Sequence, residues 1–325
     1  MTNKKYDVVA LGELLIDFTE NGLSEQGNPI LEANPGGAPC NVLSMLQKLG
    51  DKTAFIGKVG NDGFGHLLTK AVQEQGIDTT GLVYDNDVHT TLALVLKKEN
   101  GDRDFAFYRN PGADMNLKEE EVNESLIASS SIFHFGTLSL TDESVKKATQ
   151  KAVKAAKENG LTITFDPNLR EPLWRSLEEA HEQVAWGLQQ ADVVKISDNE
   201  ITWFAGMDSY DEGIAFLQKE YPNLKLICLS MGGDGSKAVY RDIHVAYPAF
   251  LQEATIETTG AGDTFCACMI HTVLENGIDH LDEEKLKAML KFANAAASLV
   301  TTKKGALRVM PTKEEVETFI ENFKR

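Results

Sequence analysis

The run Thr258-Thr259-Gly260-Ala261-Gly262-Asp263, followed at once by the apolar stretch Thr264 to Leu274, has the makings of an anion site with a base beside it. A Gly-Ala-Gly turn feeding a helix start leaves backbone N–H groups without helical partners, close to any ligand. The positive end of the helix dipole adds to them, which suits a phosphoryl group in transit. Asp263, in the first turn, is expected to be held ionised by that dipole and to accept a hydrogen bond from a hydroxyl. A carboxylate is a weak base toward an alcohol, but in a loose phosphoryl-transfer transition state the proton leaves late, and orienting the hydroxyl matters most. Read alone, the same run is also a tight turn with a helix cap.

Three more runs could do chemistry. Gly36-Gly37-Ala38-Pro39-Cys40-Asn41 opens an amphipathic helix. Adjacent glycines let a backbone approach a small polar ligand, and Asn41 offers both donor and acceptor; a glycine loop with an Asn cap is the alternative. Gly12-Glu13-Leu14-Leu15-Ile16-Asp17 follows the first strand-like run, where open parallel sheets bind ligands, and Asp17 could accept two hydroxyls or be an exposed loop carboxylate. Met231-Gly232-Gly233-Asp234-Gly235 also follows a strand and reads as a phosphate or ribose loop, or as a hairpin turn. No Gly-Lys stands in a Walker A frame, and Gly60-Asn61-Asp62-Gly63-Phe64-Gly65 has the wrong order for a dinucleotide fingerprint.

Short apolar runs positioning these motifs alternate with longer amphipathic segments. Strands are expected at Tyr6 to Leu11, Ala54 to Val59, Ile132 to Phe135, Thr162 to Phe165, Val193 to Ile196 and Leu226 to Leu229. Between them lie helical patterns such as Asn41 to Leu49, with Val42, Met45, Leu46 and Leu49 on one face and Gly50 as the stop. Such alternation predicts an α/β fold, a mostly parallel sheet covered by helices on both faces. Thr91 to Leu96 and Arg103 to Tyr108, joined through Asn100-Gly101, form a hairpin pattern that breaks the alternation, and residues 12–35 also lack helical periodicity. Together they predict a small inserted β element, serving as a lid, a dimer surface or both.

Composition narrows the partners. Forty-nine acidic against 32 basic residues give a net charge of -17, which repels nucleic-acid backbones and anionic lipid. The start has no apolar leader pattern, and no apolar stretch reaches about 18 residues, so the expected location is the cytoplasm. Cys40, Cys228, Cys266 and Cys268 contain no C-x-x-C pair and read as reduced packing thiols.

The motifs, in this order over almost the whole chain, resemble the PfkB family of ribokinase-like carbohydrate kinases. The early Gly-Gly-x-Pro-x-Asn signature matches at Gly36 to Asn41 and the late one at Thr258 to Asp263. The resemblance implies a single ribokinase-like domain over residues 1–325, with the lid from about 12–35 and 90–111 and a homodimer formed through it. It implies ATP and Mg2+, with K+ as a further ion. Asp263 would be the base, with Gly260, Ala261 and Gly262 as the anion hole. Asp17, Gly36, Gly37 and Asn41 would hold sugar hydroxyls. Asp166-Pro167-Asn168-Leu169-Arg170 resembles a family segment whose arginine lies near the acceptor, which gives Arg170 a catalytic or binding role. Phe107, Tyr108 and Arg109 would close over the substrate, while Gly232, Gly233, Gly235 and Asn294 would flank ATP.

Two departures stand out. The family's N-x-x-E motif appears as Ser197-Asp198-Asn199-Glu200, which keeps Glu200 for magnesium through water. Glu257 replaces a common aspartate, and with Thr259 it would form the monovalent-cation site. The segments GELLIDF, GGAPCNV, FYRNPGADM, DPNLR and KISDNE look like bacterial fructokinases more than ribokinases or adenosine kinases, so fructose is the expected acceptor. A 2-keto-3-deoxygluconate kinase is the neighbouring alternative, its acid met by Arg109 and Arg170; a riboside kinase, a non-enzymatic sugar-binding relative and a purely structural protein complete the field.

Overall fold

The computed structural model describes residues 4–97 and 103–323. Its strands are β1 (Tyr6–Leu11), β2 (Leu15–Leu23), β3 (Pro29–Gly36), β4 (Thr53–Gly60), β5 (Asp78–Asp85), β6 (Leu92–Lys97), β7 (Arg103–Tyr108), β8 (Ser130–Gly136), β9 (Thr162–Asp166), β10 (Val193–Ser197), β11 (Leu226–Ser230), β12 (Ser236–Tyr240) and β13 (Ile243–Tyr247). The helices are α1 (Ala38–Lys48), α2 (Gly63–Glu74), α3 (Glu124–Ala128), α4 (Glu143–Glu158), α5 (Leu177–Gln190), α6 (Asp198–Ala205), α7 (Tyr210–Glu220), α8 (Ala261–Asn276), α9 (Glu283–Val300) and α10 (Lys313–Asn322).

One nine-stranded sheet runs β13-β12-β11-β10-β9-β8-β1-β4-β5, parallel from β11 through β5 and closed at the other edge by the antiparallel β11-β12-β13 meander. The inner strand runs are mostly apolar because both faces are covered. Val8, Ala10 and Phe55 pack with Leu46 of α1, Met269 of α8 and Leu290 of α9. Val9, Leu11 and Ile56 turn the other way, toward Val145 of α4, Val184 of α5 and Leu217 of α7. All four cysteines are free and buried.

The second sheet, β3-β2-β6-β7, grows out of the first. Only Gly12, Glu13 and Leu14 separate β1 from β2, which pairs antiparallel with β3 (Asp17 opposite Asn34) and parallel with β6. β6 and β7 pair antiparallel, with Ala93 opposite Phe107; the Asn100-Gly101 turn expected between them lies outside the described residues.

Arg109, at the foot of β7, corrects an expectation. Its side chain is buried away from the small sheet: Nε and Nη2 both donate to Asp114 at 2.8 Å, Nη1 to Thr141 Oγ1 at 2.8 Å and Nη2 to the Leu138 carbonyl at 3.0 Å. A buried guanidinium needs acceptors for its whole fork, and Asp114, itself buried, supplies the charge. The residue ties the small sheet to the loop after β8 and does not reach the cavity described below. Replacing it by methionine strands the Asp114 carboxylate; we expect Arg109→Met to lower stability by about 3–5 kcal/mol, read from the urea midpoint, and a change below about 1 kcal/mol would show the pair to be dispensable.

Candidate active site

β1 lies between β4 and β8, and the chain winds outward from it in both directions, so the carboxyl ends of these strands splay apart into a crevice. A cavity of about 590 Å³ opens there. Its walls are the loops after β1, β8, β9 and β10, the root of the small sheet, and the first turns of α1 and α8.

The floor is the start of α8. Gly260 adopts φ 79°, and a Cβ there would come within 2.6 Å of the Ala306 side chain, so the turn needs glycine twice over. Ala261 N–H turns back to the Thr258 carbonyl at 3.2 Å, leaving the amides of Gly262 and Asp263 at the exposed end of the helix. Of the residues expected to form an anion hole, Gly260 and Gly262 line the cavity, whereas Ala261 does not and spends its amide on Thr258. The Asp263 carboxylate is buried and accepts 2.8 Å from Asn41 Nδ2. The carbonyl oxygen of Asn41 is buried too and has no protein donor. Contrary to the expectation that the helix dipole holds Asp263 down, burial pushes its pKa above the ordinary range, against the pull of the Asn41 amide, Lys195 and Arg170.

Asp17 projects from β2 into the same space. A Cβ on Gly36, across the β2-β3 ladder, would lie 2.3 Å from its Oδ2, so this glycine makes room for a carboxylate; Gly36 itself does not line the cavity. Gly37 does, with φ 126° and the Glu13 carbonyl 2.4 Å from where a Cβ would sit. Burial pushes Asp17 up to about 7; Arg170 pulls it down while Asp263 and Glu257 push it further up. Phe107 and Arg170 complete the rim, with Arg170 exposed and donating to the Asn168 and Leu169 carbonyls.

Glu200 is at the cavity wall but already engaged. Oε1 accepts from Leu169 N–H at 2.7 Å, and Oε2 from both the amide and the hydroxyl of Ser197 at 2.8 Å. The serine is thus the N-cap of α6 in a capping box, and Glu200 stitches that helix to the loop bearing Arg170. Burial works to raise its pKa, but Lys195 and these donors outweigh it, so Glu200 stays ionised and suits a hydrated cation. Among the described residues no three His, Cys, Asp or Glu side chains are grouped to hold a metal directly. Glu257 and Thr259 line the cavity, the longer Glu257 side chain reaching Gly305 N–H at 2.7 Å.

The four residues expected to flank ATP stand outside this cavity. Gly232, Gly233 and Gly235 form the turn from β11 to β12, in which Met231 N–H bonds the Gly235 carbonyl, and a Cβ on Gly235 would sit 2.2 Å from the Tyr247 carbonyl. Asn294 spends its amide on the Tyr247 and Pro248 carbonyls and receives Ser236 Oγ, so it braces that neighbourhood. None of the four lines the main cavity.

Two groups escaped the reading of the sequence. Glu13, buried and pushed up to about 7 by burial, accepts from Ala38 N–H at 2.8 Å and so holds the glycine loop against β1. Lys195, also buried, is 3.1 Å from Asp166 at the cavity floor. Its signal was a lone cation in the strand Val193–Ser197.

A doubly wound sheet with a glycine-turn anion site facing a buried carboxylate defines a phosphotransferase scaffold. The chain belongs to the pfkB family of carbohydrate kinases, whose pattern matches residues 5–313. It is 41% identical over 316 residues to probable fructokinase-2 of Arabidopsis thaliana, covering 96% of this chain and 95% of that one. It superposes on the ATP-bound fructokinase of Xylella fastidiosa with a TM-score of 0.88 at 29% identity, covering 97% and 98% of the two chains. The fructokinase of Vibrio cholerae O395, solved with fructose, ADP and calcium, matches with a TM-score of 0.86 at 28% identity, covering 97% and 99%.

Protonated Asp17 loses the charge that makes it a strong acceptor, and its pKa of about 7 puts that loss in an accessible range. We expect sugar affinity measured by calorimetry to weaken as pH falls through about 7, and Asp17→Asn to bind more weakly with that pH dependence gone. Affinity that is flat with pH in the unmodified protein would discard this role.

Proposed function

We propose that the protein is an ATP-dependent fructokinase, moving the terminal phosphoryl group of ATP to the 6-hydroxyl of fructose. The carrying observation is the Asp263 carboxylate, buried beside the open amides of α8 in a cavity of sugar size and oriented by Asn41. Curated relatives named fructokinase match nearly the full length, and the Xylella fastidiosa and Vibrio cholerae structures carry ATP, or fructose and ADP.

In this reading Asp17, the Gly37 backbone and Asn41 take the sugar hydroxyls, and the Asn41 carbonyl gains the donor it lacks in the protein. Asp263 accepts the proton of the attacking hydroxyl as its oxygen bonds to phosphorus and the bond to the ADP oxygen breaks. The Gly262 and Asp263 amides steady the equatorial oxygens in transit. A divalent ion with the nucleotide would supply charge neutralisation; Glu200 would hold it through water, and Glu257 with Thr259 would place a monovalent ion. Related structures are described with magnesium, calcium or potassium. Among the described residues, six carboxylates line the cavity, those of Glu13, Asp17, Glu171, Glu200, Glu257 and Asp263, against two cations, Arg170 and Lys195. With Arg109 committed to Asp114, this lining favours a neutral sugar over 2-keto-3-deoxygluconate. Four buried free thiols suit a cytoplasmic setting.

A coupled ADP-release assay tests the reading. We expect fructose to be turned over well ahead of 2-keto-3-deoxygluconate, and Asp263→Asn to retain fructose binding while losing about 10²–10⁴-fold in kcat. Preference for the acid would reverse the substrate assignment, and near-normal turnover of the variant would remove Asp263 from the chemistry. The small sheet would act as a lid and pair two copies, since Leu23, Ile30, Leu31 and Tyr108 stand exposed on it. Light scattering should then report a dimer that Leu31→Glu weakens; a monomer at micromolar concentration would end that idea.

A further inference from the structure

Lys195 reaches from β10 to the cavity floor, with its ammonium 3.1 and 3.2 Å from the two oxygens of Asp166 on β9. A Cβ on Gly262 would meet the same Nζ at 3.2 Å, so the charge stands directly under the first turn of α8, one residue from Asp263. Burying an ammonium is costly, and an apolar side chain of similar length would fill this place without that cost. His134, on the adjoining strand β8, is kept neutral by burial, its pKa lowered to about 4.

The groups facing Asp263 can be named element by element. Asn41 comes from α1, Glu13 from the loop after β1, Asp17 from β2, neutral His134 from β8, Asp166 from β9, Arg170 from the loop after β9, Lys195 from β10 and Cys266 from the next turn of α8 itself. Two of these are cations. Arg170 is exposed and its field is screened by solvent, whereas Lys195 acts through the protein interior, where charge carries further. The carboxylates of Asp166 and Glu200 more than offset the burial that would otherwise discharge Lys195, and its pKa lies above the ordinary value.

We propose that Lys195 is a positioning residue for phosphoryl transfer: clamped by Asp166 beneath α8, its fixed positive charge keeps the Asp263 carboxylate ionised and ready for the hydroxyl proton, which rests on Asp263 acting as the base. Lys195 moves no proton itself. The proton passes from the sugar hydroxyl to Asp263 as the new oxygen–phosphorus bond forms, and the electron pair of the broken bond leaves with ADP. Asp166 sets the strength of the effect, because each increment of its charge is subtracted from what Lys195 exerts on the base.

Single-turnover rates with ATP and fructose, measured across pH for the unmodified enzyme, Lys195→Met, Lys195→Arg and Asp166→Asn, test this. In Lys195→Met the acid limb should move to higher pH, with a rate roughly tenfold down on the acidic side that recovers as pH rises, about one pH unit being worth tenfold. Asp166→Asn should move the limb the other way, and Lys195→Arg should restore it. A structural role would lower the rate equally at every pH, and limbs that stay in place overturn the proposal. If Lys195→Met does not fold, an Asp166→Asn limb that is unmoved or shifts upward overturns it alone. An inactive Asp263→Asn with unmoved limbs removes only the Lys195 role, whereas an active Asp263→Asn removes the base and this proposal together.

Discussion

The burial of acidic groups at the carboxyl edge of the sheet governs the rest of the structure. Asp17, Glu13, Glu200 and Asp263 are brought around one cavity with Asp166 in the small pocket adjoining it, and each must be compensated or left protonated. The compensation is local and varied. Glu200 is satisfied by the Ser197 cap and the Leu169 amide and Asp263 in part by Asn41, while burial pushes Asp17, Glu13 and, even beside Lys195, Asp166 up to about 7. A site built this way holds its carboxylates out of water, where hydrogen bonds to hydroxyls and amides are strong.

The scaffold serves that arrangement. A parallel sheet delivers the ends of β1, β8, β9 and β10 to one rim, and the helices on both faces make that rim rigid. The small sheet is rooted only three residues beyond β1, so it brings Asp17 and Phe107 over the cavity from a separate layer. Arg109 is the fastening between the layers: its four bonds to Asp114, Thr141 and Leu138 fix the foot of β7 to the loop after β8.

Much of the fold was legible in the sequence because both-face burial writes continuous apolar runs such as Leu226 to Leu229, and helix periodicity writes stripes such as Val42, Met45, Leu46 and Leu49. Glycine turns were legible for a related reason, since Gly260 and Gly37 occupy left-handed or crowded backbone that other residues resist. What the sequence hid was pairing over distance. Nothing local marks Arg109 as the partner of a buried Asp114, so a cation beside a hairpin read as a substrate ligand. Within the Gly232–Gly235 run the fold itself needs Gly235, because the Tyr247 carbonyl crowds it. Lys195 and Glu13 stayed unseen because their roles lie in contacts with Asp166 and Ala38, thirty or so residues away in each case.

The bond between Asn41 and Asp263 spans 222 positions of the chain, and Gly260 is seated on Ala306 while Glu257 grips Gly305. The two halves of the cavity floor are therefore held by segments that leave the ribosome at opposite ends of synthesis. A nascent chain whose Gly305 and Ala306 have not yet emerged already holds Asn41 and Asp263 but lacks the contacts that seat Gly260 and Glu257, so this floor is completed only by the end of the chain.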